Sequence, residues 1–302
     1  MENDMVKTFE QASFEIFDGY GFDGSLIRKA ATTCYRSEDT TQKTAEDFIR
    51  MLKKNKHLAM LEFCYIPLCI VFDDRSDEYH DYYSLFREWK HFSVSPGKFQ
   101  DMGDSLIVSA NARAWIEYAD KCFSYYGLGP IETSILNKLR DLNPVLFDFN
   151  TKDIPSLVTV IPLQDPKAEE HKWVGVKFSG VSRGFTHELV RHRVMSFAQV
   201  STRYVNYDNF DFIFPIDEYP NVDFNGWLEA TKMLYDAMIQ NGIPKQIARQ
   251  VLPTGISTEI CVGGTVKLWK GVFDLRCAQN AHPEIRTVMT KLRNEFQERG
   301  LL

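Results

Sequence analysis

The sequence lacks the features of a zinc protein and of a disulfide-rich secreted protein. Its six cysteines, at positions 34, 64, 69, 122, 261 and 277, include no Cys-x-x-Cys pair and have no His-x-x-x-His companion. Neither a metal site nor a disulfide framework is therefore expected, and the cysteines are interpreted as buried thiols.

Long hydrophobic runs are also missing. No apolar stretch approaches the roughly 20 residues that span a bilayer. The opening Met-Glu-Asn-Asp has neither the basic region nor the hydrophobic segment of a signal peptide. We therefore expect a cytoplasmic protein with no membrane partner.

Positive charge is not in excess either. The chain has 35 Lys and Arg against 41 Asp and Glu, which gives a formal net charge of −6. Since proteins that bind nucleic acid present a basic surface, this balance argues against a nucleic-acid partner and favours a small ligand. With 302 residues, 44% hydrophobic and 25% charged, the chain can bury a full core in one large domain or two small ones.

Local patterns predict a helix followed by a strand in the first part of the chain. Apolar residues at helical spacing predict a helix over 41–57, with Thr44 and Asp47 as a capping pair. The run 61–72 is typical of a buried strand, in which Pro67 indicates an edge position or an interruption. A helix that leads into a strand indicates an α+β or α/β layer.

The polar and aromatic segment at about 73–173 is interpreted as a mostly helical insertion into a single domain that covers 1–302. Within the insertion, 106–126 and 132–142 are predicted helices. The run 174–178 predicts a short strand that returns to the main sheet.

Helices are predicted again from Arg183 and from Pro283. In the first of these, Glu188, Arg191 and His192 fall on one face at about 100° per residue. We expect that polar face to line a site. No internal repeat and no low-complexity linker is apparent.

A cluster of cations stands between positions 191 and 204. Arg191, Arg193 and Arg203 are planar forks suited to two-point binding of phosphate or carboxylate. Ser201 and Thr202 can donate to the remaining oxygens. A phosphorylated ligand is the first expectation, and a solvated basic helix face is the alternative.

The same stretch resembles the signature of flavin-dependent thymidylate synthases, in which an Arg-His-Arg triplet is followed after seven residues by Ser-x-Arg-Tyr. Other segments resemble that family in the same order along the chain. They are 30–35, 57–63, 183–190, 248–253, 274–276 and 282–286. Agreement of separated segments is specific, because a chance match to one motif would not produce it.

The chain departs from the family pattern at several of these positions. Thr32 and Phe63 stand where the family has an arginine and a histidine. Thr265 and Lys267 replace the asparagine and arginine of a Gly-Asn-x-Arg-x-Trp element that binds flavin in the family.

The missing Asn-x-Arg-x-Trp spacing occurs instead at 111–115. One hypothesis is that Asn111 and Arg113 take over part of the flavin contact. The alternative is an amphipathic helix with a capping asparagine and a surface arginine.

The resemblance implies an α+β fold with a central mixed β-sheet flanked by helices, and a homotetramer whose active sites are shared between subunits. It also implies methylation of dUMP to dTMP, with methylenetetrahydrofolate as one-carbon donor, NADPH as reductant and FAD as cofactor. Such a protein has to clamp a phosphate dianion, polarise the uracil ring and stack that ring on the flavin.

The resemblance further implies roles for individual residues. The catalytic residues would be Arg276, which reaches the uracil carbonyls, Ser201 and His57. The substrate would be bound by Glu188, Gln199, Ser201, Thr202, Arg203, Arg249 and Arg276. The cofactor would be bound by His57, Arg191, His192, Arg193, Thr265, Lys267, Asn111 and Arg113.

The residue types refine some of these roles. Ser201 has arginine neighbours that cannot accept its proton, so binding is favoured over covalent catalysis. His192 is expected to be neutral near pH 7, because flanking arginines disfavour its protonated form. His80, His91 and His171 are expected at the surface.

Other possibilities stay open on the sequence. Glu62 and Glu284 are expected either to pair with arginines or to serve the site. The departures from the pattern could mark an enzyme that transfers a hydroxymethyl group or acts on another pyrimidine nucleotide. A non-catalytic nucleotide-binding protein without flavin is a further alternative. A nucleic-acid-binding module is disfavoured by the acidic net charge.

Overall fold

The structure, a computed structural model, describes residues 5–17, 19–37, 41–72, 77–97, 104–151, 156–207 and 210–302. In these residues the strands are β1 (Val6–Lys7), β2 (Ser13–Phe17), β3 (Tyr65–Phe72), β4 (Phe92–Gly97), β5 (Ser105–Asn111), β6 (Val158–Pro162), β7 (Trp173–Ser182), β8 (Ser196–Gln199), β9 (Phe212–Ile213) and β10 (Ser257–Thr265). The helices are α1 (Ser25–Tyr35), α2 (Ala45–Lys54), α3 (Asp77–Glu88), α4 (Ala112–Lys121), α5 (Pro130–Leu142), α6 (Arg183–Leu189), α7 (Asn225–Gln240), α8 (Lys245–Ala248), α9 (Val266–Arg276) and α10 (Pro283–Glu298).

Most of the strands belong to two four-stranded antiparallel sheets. One has the order β4-β5-β3-β6 and the other the order β2-β7-β10-β8. A separate parallel pair joins β1 to β9. The α+β class is confirmed. The expectation of one central mixed sheet is wrong, because the described residues form two four-stranded sheets and each of these is antiparallel throughout.

Each sheet packs on its own set of helices. The first hydrophobic cluster joins β3 and β5 to α2, α4 and α5, with Trp115 and Leu136 fully buried. The second joins β7 and β10 to α6, α9 and α10, with Trp269 and Phe296 fully buried. Burial of each such side chain stabilises the fold by about 1.5–3 kcal/mol relative to exposure. The molecule therefore has two main apolar cores.

Helix α2 forms where the sequence predicts it, although it is shorter than 41–57. The Thr44 hydroxyl accepts a hydrogen bond from the Asp47 amide at 3.2 Å, and the Asp47 carboxylate accepts one from the Thr44 amide at 3.0 Å. These reciprocal bonds satisfy free amides of the first turn. Phe48, Ile49 and Leu52 face the first core, so the spacing of apolar residues determined which face is buried.

The prediction that Pro67 marks an edge strand is wrong, because β3 lies between β5 and β6. The register places Pro67 opposite Leu163, just beyond the end of β6, where the Leu163 amide donates to the Pro67 carbonyl at 2.9 Å. The nitrogen and the carbonyl oxygen of one strand residue point towards the same neighbour. Proline therefore removes a single bond at the end of the ladder.

The segment at about 73–173 contains strands as well as helices, and its first residues, 73–76, lie outside the described residues. The helix predicted over 106–126 is wrong at its start, because Leu106 to Asn111 lie in β5. This strand is covered on both faces, so its apolar run has no alternation that distinguishes strand from helix. Its sheet also includes β3, which precedes the segment. The insertion and the single domain stay predictions.

None of the described helices is long and apolar enough to cross a membrane. The opening Met-Glu-Asn-Asp lies outside the described residues.

His171 is buried, so its predicted surface position is wrong. Its Nδ1 lies 2.7 Å from the Ser109 hydroxyl and its Nε2 lies 2.8 Å from the Ser95 hydroxyl. Ser109 also contacts the Tyr65 hydroxyl at 2.8 Å. Burial lowers the pKa of His171 to about 4, so the ring is neutral. The residue joins the segment before β7 to the other sheet.

We expect this histidine to make stability depend on pH. Its pKa is about 6.5 in an unfolded chain and about 4 in the folded protein, so between these values the unfolded chain binds the extra proton. The contribution of His171 to the free energy of unfolding is fully present above pH 6.5. It falls by about 3 kcal/mol as the pH decreases towards 4. Urea unfolding of the wild type and His171→Asn across this range should show a steeper decline for the wild type. Exposed His80→Asn is the control, and equal slopes for the wild type and His171→Asn would contradict the prediction.

Candidate functional site

Helix α6 leads into the first part of the predicted cation cluster. It ends at Leu189, so Arg191, His192 and Arg193 lie in the turn that leads to β8. The two arginines are exposed and the histidine is half-buried. The prediction that Glu188, Arg191 and His192 share one helix face is wrong, because the chain leaves the helix before the last two residues.

Arg276, at the last position of α9, ties this turn to α6. Its Nη1 donates to Glu188 Oε2 at 2.7 Å, its Nη2 to the Glu188 carbonyl at 2.8 Å and its Nε to His192 Nε2 at 3.0 Å. A guanidinium only donates, so the Nε2 of His192 accepts and its ring proton is on Nδ1. Burial first, and then the Arg276 charge, lower the pKa of His192. The neutral ring is confirmed, although the flanking arginines are not its cause.

Four of the predicted site residues line one cavity of about 480 Å³, which we call the Ser201 cavity. They are His57, Arg113, Ser201 and Arg203. These residues are brought together from distant parts of the chain, because His57 lies in the segment after α2, Arg113 on α4, and Ser201 and Arg203 in the segment after β8. The lining combines hydroxyl and cationic groups with apolar groups, including Leu58 and Met60. Such a lining suits a ring that carries an anionic group.

Ser201 is held by its backbone at the wall of this cavity. Its amide donates to the Cys34 carbonyl at 2.9 Å, and its hydroxyl accepts from the Arg203 amide at 3.3 Å. In the part of the chain that the structure describes, no basic side chain hydrogen-bonds the Ser201 hydroxyl. A binding role is therefore favoured over a covalent one.

Thr202 and Arg249 face a different cavity, of about 280 Å³. Arg249 Nη1 donates to the Thr202 hydroxyl at 3.1 Å. Arg183 lines the same cavity, and its Nη1 is buried without a hydrogen-bond partner among the described residues. Gln199 belongs to neither cavity, because its amide donates to the Thr186 hydroxyl at 2.9 Å. Residues that were predicted to bind the same phosphate and sugar therefore lie in different places within one chain.

Two smaller cavities lie between the sheets. The arginine cavity, of about 150 Å³, is lined by Glu62, Arg113 and Arg193 among others. The lysine cavity, of about 250 Å³, is lined by Lys90, Lys267 and Thr265 among others. The predicted cofactor residues are therefore divided, with Arg113 and Arg193 in one cavity and Thr265 and Lys267 in the other. Asn111 borders both.

Of the two hypotheses for 111–115, the structure confirms the capping asparagine of the amphipathic helix. Asn111 caps α4, because its side chain accepts from the Ala114 amide at 2.9 Å. Arg113 is not a free surface arginine, since it pairs with Glu62 at 3.0 Å and with Glu117 at 2.9 Å. Contact of either side chain with flavin stays a prediction.

Glu62 pairs with Arg113, as expected, whereas no arginine of the described ranges forms an ion pair with Glu284. The Glu284 carboxylate accepts from the Ser182 amide at 2.6 Å and from the Ser182 hydroxyl at 2.5 Å. Burial raises the pKa of Glu284 above its usual value. This residue links α10 to the start of α6 and has a structural position.

An aromatic pair at the Ser201 cavity was not predicted. The rings of Tyr35 and Tyr204 lie 5.4 Å apart, and Arg203 lies over the Tyr204 ring at 5.6 Å. Each tyrosine ends a segment that resembles the family pattern, but nothing in the local sequence indicates that the two meet. Their contact results from the packing of α1 against the segment after β8.

Comparison with known proteins identifies relatives for the second half of the chain. Residues 160–299 match the family model of thymidylate synthase complementing protein. The flavin-dependent thymidylate synthase of Geobacter sulfurreducens is 33% identical over 129 residues, which are 41% of this chain and 56% of the relative. That of Pyrococcus abyssi is 35% identical over 138 residues, which are 43% of this chain and 57% of the relative.

The chain therefore spans little more than half the length of the curated relatives it matches. Among solved structures, a flavin-dependent thymidylate synthase from Helicobacter pylori, complexed with FAD and dUMP, has a TM-score of 0.37 and 23% identity to this chain. The match covers 43% of this chain and 72% of that one.

Proposed function

We propose that this chain is a member of the flavin-dependent thymidylate synthase family, whose model its residues 160–299 match, and that it methylates dUMP to dTMP. In this proposal, methylenetetrahydrofolate donates the one-carbon unit and NADPH is the reductant. FAD supplies the redox chemistry when it is bound. The Ser201 cavity carries the proposal, because it places a hydroxyl, two arginines and a histidine around a space of nucleotide size.

The residues of this cavity fit a flat heteroaromatic ring with a phosphate. Leu58 and Met60 offer an apolar surface, and the rings of Tyr35 and Tyr204 stand at its edge. Arg203 and Ser201 offer donors to phosphate oxygens. We place nucleotide binding here, and flavin binding between this cavity and the adjoining arginine cavity, which share Arg113.

Arg276 does not line the Ser201 cavity of its own chain, and we propose that it stabilises the reacting uracil of a nucleotide bound in the cavity of a neighbouring subunit. Its guanidinium is fixed by Glu188 and His192, so little reorganisation is needed when negative charge develops at a carbonyl oxygen. Neutral His192 keeps the local charge low, and Glu188 balances the arginine. Two of the five guanidinium N–H groups remain available for a substrate.

The separation of Thr202 and Arg249 from Ser201 supports a site completed by a second subunit. A threonine–arginine pair that faces away from the cavity in one chain can face a cavity of a neighbouring chain. We therefore propose a homo-oligomer with shared sites, which the resemblance implies is a tetramer. With nucleotide, folate and nicotinamide compounds as its ligands, we also propose a cytoplasmic location.

Ser201→Ala is expected to weaken dUMP binding while turnover persists at saturating dUMP. Loss of one hydrogen bond to a charged phosphate should raise the Kd about tenfold. Calorimetric titration with dUMP, together with kcat at saturation, measures both effects. Ser134→Ala on α5, away from the cavity, is the matched control. Abolished turnover with unchanged dUMP affinity would instead identify Ser201 as a nucleophile.

A further inference from the structure

The two four-stranded sheets belong to units that are built in the same way. In lobe one, residues 65–142, β3 is followed by α3, β4, β5, α4 and α5. In lobe two, residues 173–298, β7 is followed by α6, β8, β10, α9 and α10, with β9, α7 and α8 inserted before β10. The sheet orders correspond strand for strand, as β4-β5-β3 and β8-β10-β7. The fourth strand of each sheet, β6 or β2, comes from outside its lobe. The structure thus corrects the expectation that the chain has no internal repeat.

The strand registers determine which residues correspond. Tyr65, the first residue of β3, lies opposite Asn111, the last residue of β5. Trp173, the first residue of β7, lies opposite Thr265, the last residue of β10. Asn111 and Thr265 are also the N-cap residues of α4 and α9. The two corners from strand to helix are therefore equivalent.

A buried tryptophan makes the same hydrogen bond in both lobes. Trp115 is the fourth residue of α4 and donates from Nε1 to the Ile66 carbonyl at 3.2 Å. Trp269 is the fourth residue of α9 and donates from Nε1 to the Val174 carbonyl at 3.0 Å. Ile66 and Val174 are the second residues of β3 and β7. This shared contact shows that the correspondence extends to side chains.

The same correspondence pairs charged residues around the seam between the lobes. Glutamates stand three residues before Tyr65 and Trp173, and cations stand two residues after the two N-caps. Ser93 and Ser196 lie opposite the residues that stand two positions before the two N-caps, so these serines correspond to each other. A cation stands three residues before each serine. The resulting pairs are Glu62 with Glu170, Arg113 with Lys267, and Arg193 with Lys90.

These pairs relate the arginine cavity to the lysine cavity. Apart from Glu117, every residue that lines the arginine cavity has its counterpart in the lining of the lysine cavity. His91 and Val194 are counterparts of each other and line both cavities, so the cavities adjoin across the seam. The lysine cavity is the second copy of the arginine cavity.

The two copies differ in how their cations are neutralised. Arg113 pairs with both Glu62 and Glu117. The counterpart of Glu117 in lobe two is Gly271. Among the residues described, no carboxylate forms an ion pair with Lys90 or Lys267. The lysine cavity therefore keeps a net positive charge despite Glu170 in its wall.

The inner wall of the lysine cavity is rigid and offers hydroxyl groups. Trp173, Ser196 and Thr265 are only 5%, 5% and 6% exposed. Gly263 allows the Trp173 ring to lie directly on β10, because a Cβ there would stand 2.3 Å from the ring. Paired ammonium groups and hydroxyls around a cavity of about 250 Å³ are suited to phosphate oxygens. We propose that the lysine cavity is a second anion site of this chain, which binds a small phosphate-bearing molecule.

Pyrophosphate is the probe that tests this site, without nucleotide, folate or flavin. The indole N–H resonance of Trp173, assigned by Trp173→Phe, reports binding at the lysine cavity. We expect pyrophosphate to shift it in the wild-type protein and Lys267→Ala to weaken that response at least about tenfold. Lys267→Arg should preserve the response, since arginine stands at the corresponding position of lobe one.

Lys270→Ala, which removes a cation of the same helix outside the cavity, is the matched control and should respond as the wild type does. A Trp173 resonance that does not move with pyrophosphate would overturn the proposal, and so would equal responses of Lys267→Ala and Lys270→Ala. The resemblance implies flavin contacts for Thr265 and Lys267, but the proposed function places flavin between the Ser201 cavity and the arginine cavity, so an anion site at the lysine cavity goes beyond the proposed function. A protein that forms no dTMP but shows the Trp173 response would contradict the proposed function alone.

Discussion

Replacement of Arg276 by alanine is expected to lower kcat for dTMP formation by about 10²- to 10³-fold, which is the effect of removing one preorganised donor to a developing oxyanion. In the native protein Glu188 and His192 fix the guanidinium before the reaction begins. Alanine removes the positive charge and leaves the Glu188 carboxylate unpaired close to the substrate. Both changes disfavour negative charge on the uracil ring.

Steady-state kinetics with saturating dUMP measure this effect, and thermal unfolding shows whether the variant is folded. Arg276→Lys keeps the charge but loses the planar fork, so an intermediate kcat is expected. Arg286→Ala is the matched control, because this half-buried arginine donates to the Gln279 carbonyl and lines none of the cavities named above. A folded Arg276→Ala protein with wild-type kcat would contradict the role assigned to Arg276.

Trp115→Ala and Trp269→Ala are each expected to reduce the free energy of unfolding by about 3–5 kcal/mol. Both side chains are fully buried, and each indole N–H donates to a strand carbonyl. In the alanine variants that carbonyl loses this hydrogen bond. Alanine would leave a cavity at the corner where the helix leaves the strand. Since the two corners are equivalent, the two losses should be of similar size.

Urea unfolding monitored by circular dichroism gives the two free energies. Trp227→Ala is the control, because Trp227 is 48% exposed and its loss should cost less than about 1 kcal/mol. A small loss for Trp115→Ala beside a large loss for Trp269→Ala would mean that the two cores do not depend on this contact in the same way.

Elements with local signals were predicted well from the sequence. The capping pair of Thr44 and Asp47 located the start of α2, and Pro283 located the start of α10. Each signal depends on a few neighbouring residues whose hydrogen bonds form within one turn. Strand β7 was also predicted, although it extends further than 174–178.

Features that depend on distant partners could not be predicted. The sequence predicts a helix where β5 lies, because coverage on both faces removes the alternation that identifies a strand. His171 was placed at the surface, because its serine partners are 62 and 76 residues away in the sequence. The internal repeat was missed because the corresponding positions share geometry and charge, as in Arg113 and Lys267, but few identical residues.

The candidate site was predicted in composition but not in arrangement. Ser201, Arg203, His57 and Arg113 are all predicted site residues, and the structure places the four around one cavity, whereas their contact with a ligand stays a prediction. The signature gave no indication that Thr202 turns to Arg249 in a separate cavity. A linear motif specifies which groups are present, whereas the side to which each one points depends on the turn that follows β8.

The central claim is that the cavity around Ser201 and Arg203 belongs to an enzyme that methylates dUMP with the help of flavin. Incubation of the purified protein with dUMP, methylenetetrahydrofolate, FAD and NADPH, followed by mass analysis of the nucleotide, tests it most directly. We expect a product heavier than dUMP by one CH₂ group, formed only when FAD is present. An unchanged nucleotide, or a product that carries an additional oxygen, would contradict the claim.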